Sequence, residues 1–420
     1  MSAQSKLLTL LVVVVGILTL NTTFLLIFWT TTHPTARSED MRSGAGNVGA
    51  VIDASKYPNL QAAFDALPEG GGIVQLQPRT YDVTAPLFVS RENTRIQGFG
   101  PGTHLRNVNK NGQPALIVKP AKRPVTQQKV AHEHMLWRVQ VADLRISGNP
   151  KSGDGILAIG INEIYLHNLF IDHNGGNGIK LADCYENPRV TDCNITYNKK
   201  AGLKMISSSH NPVITGCHFE ENRDGVEAIH IYNICMTTNN FDDQTRHGII
   251  VEDSWGGVLT GNMVEQCRGV GIIIDRDCHG MALTANIIGQ NYQGGIDLRD
   301  GWNCAVSANT FNITHERSLT IGPNSGRITV TGNNFGDSHV GGHDARKEGT
   351  EPGTGIHLEG TTDISITGNV FTGLKEKGIQ TKGECKRIIV SSNLTTDLPE
   401  KPGLDTGAID LVVKGLNLDD

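Results

Sequence analysis

From Gly155 onward the sequence repeats itself with a period of 23 or 24 residues. Gly155, Gly178, Gly202, Gly225, Gly248, Gly271 and Gly295 each open an apolar run, and Gly355 and Gly378 resume the series after a longer gap. Inside that gap Ser318, in "RSLTIG", opens a run that has lost its glycine. A fixed period of this length marks a solenoid. Each copy holds short runs of Ile, Val and Leu separated by turn residues, which predicts strands rather than helices. A second column supports the register: Asn168, Asn239, Asn262, Asn286, Asn309, Asn333, Asn369 and Asn393, followed two residues later by apolar side chains that include Phe170, Phe241, Val264, Ile288, Phe311, Phe335 and Phe371. Stacked amides that satisfy turn backbone, and stacked apolar groups that fill a cylinder, are what a parallel coil of strands needs.

Composition fits this frame. The chain has 420 residues, 49 glycines and only 5% aromatics, so turns are frequent and the core is largely aliphatic. Its net charge of -6 carries no basic signature, which argues against nucleic acid as the main partner. Cys193 and Cys217 occupy the asparagine column, where packing as small apolar groups is expected and a bond between stacked neighbours is the alternative. Residues 7–29, "LLTLLVVVVGILTLNTTFLLIFW", contain no charge and follow Lys6. Such a run is long enough to span a bilayer with the remainder exported, although a cleaved signal is the competing reading. The expected organisation is a membrane anchor or signal over 1–30, a polar tether over 31–48, a cap and first turns over 49–105, the coil over 106–395 and a terminal turn over 396–420. The expected location is extracytoplasmic, membrane-anchored, or secreted if the segment is removed.

With the repeat, the asparagine column and the entry segment "DASKYPNLQAAFDALPEGGGIVQLQPRTYDV" in view, the chain resembles the right-handed parallel β-helix proteins of the pectate-lyase-like superfamily. Leu60, Phe64 and Leu67 look like the family's capping helix, and "GGGIVQLQPRTYDV" is similar to the family's opening, with Arg79 where glycine is usual. The resemblance implies an all-β, single-stranded right-handed parallel β-helix with an N-terminal capping helix, preceded here by the membrane-spanning segment. It implies no single reaction, because the superfamily holds lyases, hydrolases, epimerases, phage tailspikes and non-catalytic proteins.

Side-chain alternation turns the repeat into a surface map, since the second and fourth positions after each glycine point outward and lie about 4.8 Å from their counterparts on the next turn. The second-position column runs Leu157, Lys180, Lys204, Glu227, Ile250, Ile273, Asp297, Thr320, His357, Gln380. The fourth runs Ala182, Ile206, Ile229, Glu252, Asp275, Arg299, Gly322, Glu359, Lys382. Glu252, Asp275, Asp297 and Arg299 therefore converge, with Arg276, His247 and His357 close by. Stacked carboxylates raise one another's pKa unless a cation compensates. The expectation is a site, with a balanced surface charge ladder as the alternative. Two carboxylates about 5 Å apart suit a retaining glycosidase pair or an oxygen-ligand site for Ca²⁺, and the spacing does not choose between them.

As a lyase acting on a uronic-acid polysaccharide, Glu252, Asp275 and Asp297 would surround a cation or the sugar, with Arg299 or His357 as base. As a hydrolase, Asp275 with Asp297 or Glu252 would be the acid/base pair. Lys180, Lys204, Glu227, His247, Arg276 and Glu359 are expected to bind substrate, the two lysines forming a basic lip for a polyanion. The insertion "GDSHVGGHDARKEGTEPGT" before Gly355 would wall one side; its His339 and His343 offer at most a weak metal motif. The rival reading, from another class, is a non-catalytic polysaccharide-binding or structural β-helix of the cell envelope.

Overall fold

The computed structural model describes residues 49–122, 134–336, 353–396, 398, 409–414 and 418–419. The expected membrane span at 7–29, the tether and the insertion with His339 and His343 lie outside the described residues. Among the described residues no helix is long and apolar enough to cross a membrane.

The period of the sequence is the period of the structure. Val251 sits between Ala228 of the preceding turn and Ile274 of the following one, and the same step of about one repeat carries through the chain. Thirty-nine of the strands form one continuous parallel ladder, an all-β right-handed solenoid of about 13 turns. A representative turn has a first strand at Ile249–Glu252, a second at Trp255–Thr260 and a third at Met263–Glu265. Turns of this length close because left-handed residues bend the chain between strands: Asp253 has φ 48° and Gly261 φ 64°.

The interior is made of side-chain columns. Phe219 stacks on Phe241 with centroids 4.8 Å apart, and Phe311, Phe335 and Phe371 continue the file at 4.6 and 4.9 Å. Beside them runs the asparagine column. Asn286 Nδ2 donates to Leu259 O at 2.9 Å and to Asn309 Oδ1 at 3.0 Å, while its own Oδ1 accepts from the backbone N–H and the side chain of Asn262. Asn239, Asn262, Asn309, Asn333 and Asn369 repeat this pattern, and all are almost wholly buried. Cys217 begins the column, its N–H donating to Asn239 Oδ1. All eight cysteines are free thiols, seven of them buried. Burial pushes the Cys278 thiol up to about 12.

One turn departs from the sequence register. Asn168 is exposed, with φ 49° and its amide on Asp143, and Phe170 also faces solvent while Ile171 stacks on Ile195. Asn168 lies within the long strand Tyr165–Asp172 and bends it instead of turning inward. A second amide column, not recognised in the sequence, stands at another corner: the backbone N–H groups of Asn174, Asn198 and Asn222 donate in turn to the side-chain oxygens of Asn198, Asn222 and Gln244 on the following turn. Its step of 22 to 24 residues was available as a signal, but Gln244 and Cys267 interrupt the run of asparagines.

At the N-terminal end the helix Leu60–Asp65 starts on Asn59, whose side chain accepts from Ala62 N–H, and Leu60, Phe64 and Leu67 join the core. At the other end Ile409–Lys414 and Leu418–Asp419 pair with the preceding turn.

Asn286→Ala is expected to destabilise the protein by about 1–3 kcal/mol, because the N–H of Asn262 and the carbonyl of Leu259 lose buried partners. Thermal melting checks this, and a change within about 0.5 kcal/mol would assign the column no stabilising role.

Candidate functional site

The first strands place the outward columns in the order read from the sequence. Lys180 pairs with Lys204, Lys204 with Glu227, Ile273 with Asp297, Asp297 with Thr320 and Thr320 with His357. Glu252 pairs with Asp275. What the pairing delivers is three separate charge groups rather than one cluster.

The first group lies around Glu227, expected to meet substrate. The structure corrects this, because Glu227 is 4% exposed and its carboxylate is consumed by an internal network. Lys204 Nζ is ion-paired with Glu227 Oε2, Arg223 Nη2 lies 2.5 Å from Oε1, and Arg246 bridges Glu227 and the fully buried Asp224. Burial alone would raise Asp224, but hydrogen bonds from Arg246 and Arg223 outweigh it and hold the group below the usual carboxylate range. Lys204 therefore contributes no free charge to a basic lip, whereas Lys180 has no partner among the described residues. His247 is also engaged internally: its Nδ1 accepts the Val270 N–H at 3.0 Å, and burial with the neighbouring Arg246 depresses its pKa. The outward residues Ile250, Val270 and Ile273 are nearly buried against each other and separate this network from the acids beyond.

The second group is an exposed pair, Arg276 Nη1 to Glu252 Oε2 at 3.1 Å. The third is concave. A depression of about 680 Å³ is lined by Asp275, Asp297, Arg299, Glu316, Arg317, Thr320 and Glu359, floored by Gly322 and Pro323. Arg299 binds Asp297 at 2.7 Å and reaches Asp275 at 3.8 Å. Arg317 Nη1 binds Glu359 Oε1 at 2.5 Å. His357 lies on the turn beyond Thr320 and does not line the depression; burial, followed by the charge of Arg317, lowers its pKa, and its Nδ1 is buried with no hydrogen-bond partner among the described residues.

Asp275, Asp297, Arg299 and Glu359 are thus brought together, while Glu252, Arg276, Lys180, Lys204, Glu227 and His247 fall outside. The sequence reading missed Glu316 and Arg317. Arg317 directly precedes Ser318, the start that lost its glycine, and the residue before each start forms an outward edge column that also contains Asp224 and His247. That column was the available signal.

Carboxylates stacked without cations do occur, but on the third strands. Glu220, Asp242 and Glu265 are in register on consecutive turns, with Asp243, Glu221 and His218 alongside. Burial, and then the neighbouring carboxylates, raise both Asp242 and Glu265.

The fold defines a right-handed parallel β-helix protein. A family described as right handed beta helix region matches residues 131–230, and one described as periplasmic copper-binding protein (NosD) matches residues 205–351. No curated protein matches by sequence. Among solved structures, tailspike protein 3 of bacteriophage CBA120 superposes with a TM-score of 0.57 at 15% identity, covering 84% of this chain and 62% of its own. The surface adhesin PfbA of Streptococcus pneumoniae gives 0.56 at 13% identity over 79% of this chain and 93% of its own. DFA-IIIase of Arthrobacter chlorophenolicus A6, in complex with GF2, gives 0.51 at 15% identity over 87% and 98%. The chain spans less than two thirds of the tailspike. At these identities the likeness is one of fold.

The copper named in the second family description does not fit the described residues. No group of three or more His, Cys, Asp or Glu among them is arranged to hold a metal ion, and seven of the eight thiols that copper would favour are buried.

The third-strand acids generate a pH prediction. Their folded pKa values lie above the ordinary 3.8 and 4.5, so their repulsion is present at neutral pH and is relieved as pH falls through the folded values. Asp224 has the opposite sign, and its contribution is lost at still lower pH. Asp242→Asn is expected to raise the melting temperature at pH 7.5 and to flatten the stabilisation of the wild type as pH falls from 7.5 into the acidic range where these carboxyls protonate. An unchanged profile would show that the stack does not titrate in that window.

Proposed function

We propose that the protein is an extracytoplasmic, carbohydrate-active β-helix that acts on a polysaccharide at the Asp297 depression, by glycoside hydrolysis. The observation that carries this reading is the lining itself: four carboxylates, from Asp275, Asp297, Glu316 and Glu359, and two guanidiniums meet in one concavity on an otherwise shallow face. Hydrolysis calls for two carboxyl groups across a scissile bond. Asp275 and Asp297 stand on adjacent turns about 4.8 Å apart along the axis and share Arg299, and they are the pair assigned to acid and base work. Arg317 and Glu359 line the far wall, where they position the sugar on the leaving or attacking side. The periplasmic description of the matching family supports the location, and the fold likenesses supply the scaffold alone.

The guanidiniums take over the neutralising role for which the sequence suggested Ca²⁺. Arg276 and Arg299 each engage one oxygen of Glu252 and of Asp297, so a Ca²⁺ ion here would compete with two guanidiniums for these carboxylates. A second reading, β-elimination on a uronic-acid polymer, has one specific observation behind it. His357 is held neutral near Arg317 and its Nδ1 has no partner among the described residues, which suits a base next to a carboxylate-neutralising guanidinium, but that nitrogen is buried and lies outside the depression. A surplus of carboxylates in the depression weighs against seating a uronate there.

The test incubates the protein with neutral and acidic polysaccharides while new reducing ends and the absorbance of unsaturated ends are followed together. Hydrolysis gives the first without the second; elimination gives both. Asp297→Asn and Glu359→Gln are each expected to lower turnover by about 10²-fold or more with the melting temperature nearly unchanged, since half-exposed ion pairs stabilise little. Full activity in both variants would move the reaction elsewhere, and no product from any polymer would leave the protein a binder.

A further inference from the structure

The second strand of each turn carries a feature that the reaction centre does not use. Register places His210, Tyr232, Trp255, His279 and Trp302 directly over one another on five consecutive turns, all partly exposed. Aromatics make up 5% of the chain, and two of its four tryptophans are in this single outward column. The phenylalanine files, by contrast, are internal. Tyr232 and Trp255 stack at 5.2 Å, and His230 stands edge-on to both at 5.5 and 5.6 Å. Trp302 closes the stripe by lying against Gly326, with the Arg327 guanidinium 5.8 Å from its ring.

Polar groups border the stripe on both sides. Towards the reaction centre stand His230 on Asp253, at 2.9 Å, and His279 on Asp277, at 2.8 Å. On the other side Asn211 and Asn233 present linked amides, Asn233 Nδ2 donating to Asn211 Oδ1 at 3.2 Å. That amide row is interrupted at Gly256 and Gly280, whose φ values of 70° and 67° keep the left-handed bend. Asn233 Oδ1 already fills the space beside Gly256, where a Cβ would meet it at 2.5 Å, whereas Gly280 leaves an open notch beside His279 whose nearest atom is the Gly256 Cα at 3.9 Å. Neither indole N–H has a hydrogen-bond partner among the described residues, and neither is buried.

We propose that this stripe is a binding surface for a neutral, hydroxyl-rich glycan chain running along the solenoid axis, with one sugar seated in the notch at Gly280. An apolar ribbon fringed by unpaired indole donors, amides and carboxylates matches a ligand whose ring faces are apolar and whose edges both donate and accept. A charged polymer fits less well, because Asp253, Asp277 and Asp300 line one border and Arg327 the other. The stripe is continuous with the candidate centre: Glu252 and Trp255, and likewise Arg299 and Trp302, lie at opposite ends of the same tight turns, so one polymer can touch both faces. The inference rests on the carbohydrate reading but not on hydrolysis.

The test is affinity electrophoresis of the whole protein through native gels containing dextran, inulin or mixed-linkage β-glucan, with polygalacturonate as the charged control. At least one neutral polymer is expected to retard the wild type. Trp255→Ala with Trp302→Ala is expected to weaken that retention about tenfold. Gly280→Asn fills the notch without strain, since asparagine accepts this φ and the nearest atom to its Cβ is 3.9 Å away. It keeps the proposal testable if the double variant fails to fold, and it too is expected to weaken retention. Retention by polygalacturonate alone, by no polymer, or equally by wild type and Gly280→Asn overturns the stripe. Loss of retention in the stripe variants from a protein that cleaves nothing overturns hydrolysis and leaves the stripe standing.

Discussion

The structure depends on one repeated interaction, the transfer of a hydrogen bond from the backbone of one turn to the side-chain amide of the next. A solenoid made of three short strands per turn must bend its chain at every corner, and each bend buries N–H and C=O groups that no strand ladder can reach. Asn286 supplies both halves of the answer, its Oδ1 accepting the N–H of Asn262 and its Nδ2 donating to Leu259 O. Because each amide is also bonded to its neighbours, the corner is satisfied cooperatively along the axis. The outward residues are then free to vary, since little of the fold's stability passes through them.

That division explains what could be read from the sequence. Interior columns obey a spacing, so the turns, the asparagine corner and the phenylalanine file follow from counting residues. The count fails where a local frame imitates the corner. Asn168 has the right neighbours, yet it sits in a strand that continues through to Asp172, and its left-handed backbone sends the amide to Asp143 at the surface. The second amide corner fails for the complementary reason, because Gln244 does the same physical work as asparagine under a different letter.

The outward columns were equally countable, and Asp275, Asp297, Arg299 and Glu359 do meet. Their partners were not countable. A guanidinium reaches several ångströms and chooses among carboxylates by geometry, so nothing in the spacing tells that Arg317 pairs with Glu359, 42 residues on, or that Glu227 is buried under Arg223, Arg246 and Lys204. Periodicity fixes where a side chain starts. Its reach and its competitors decide whether its charge remains available.

Stacked acids are consequently a poor marker of chemistry in this fold. The same crowding occurs twice and is resolved in opposite ways. On the first strands Arg276 and Arg299 neutralise Glu252, Asp275 and Asp297; on the third strands Glu220, Asp242 and Glu265 have no arginine, and burial with mutual repulsion raises two of them instead. Perturbed titration alone would point to the third strands. Concavity and the mixture of acids with guanidiniums point to the first, where a bound sugar could meet fixed charge of both signs at once. Shape and pairing therefore single out the Asp297 depression, while the perturbed carboxyls reflect the cost of stacking like charges on a rigid ladder.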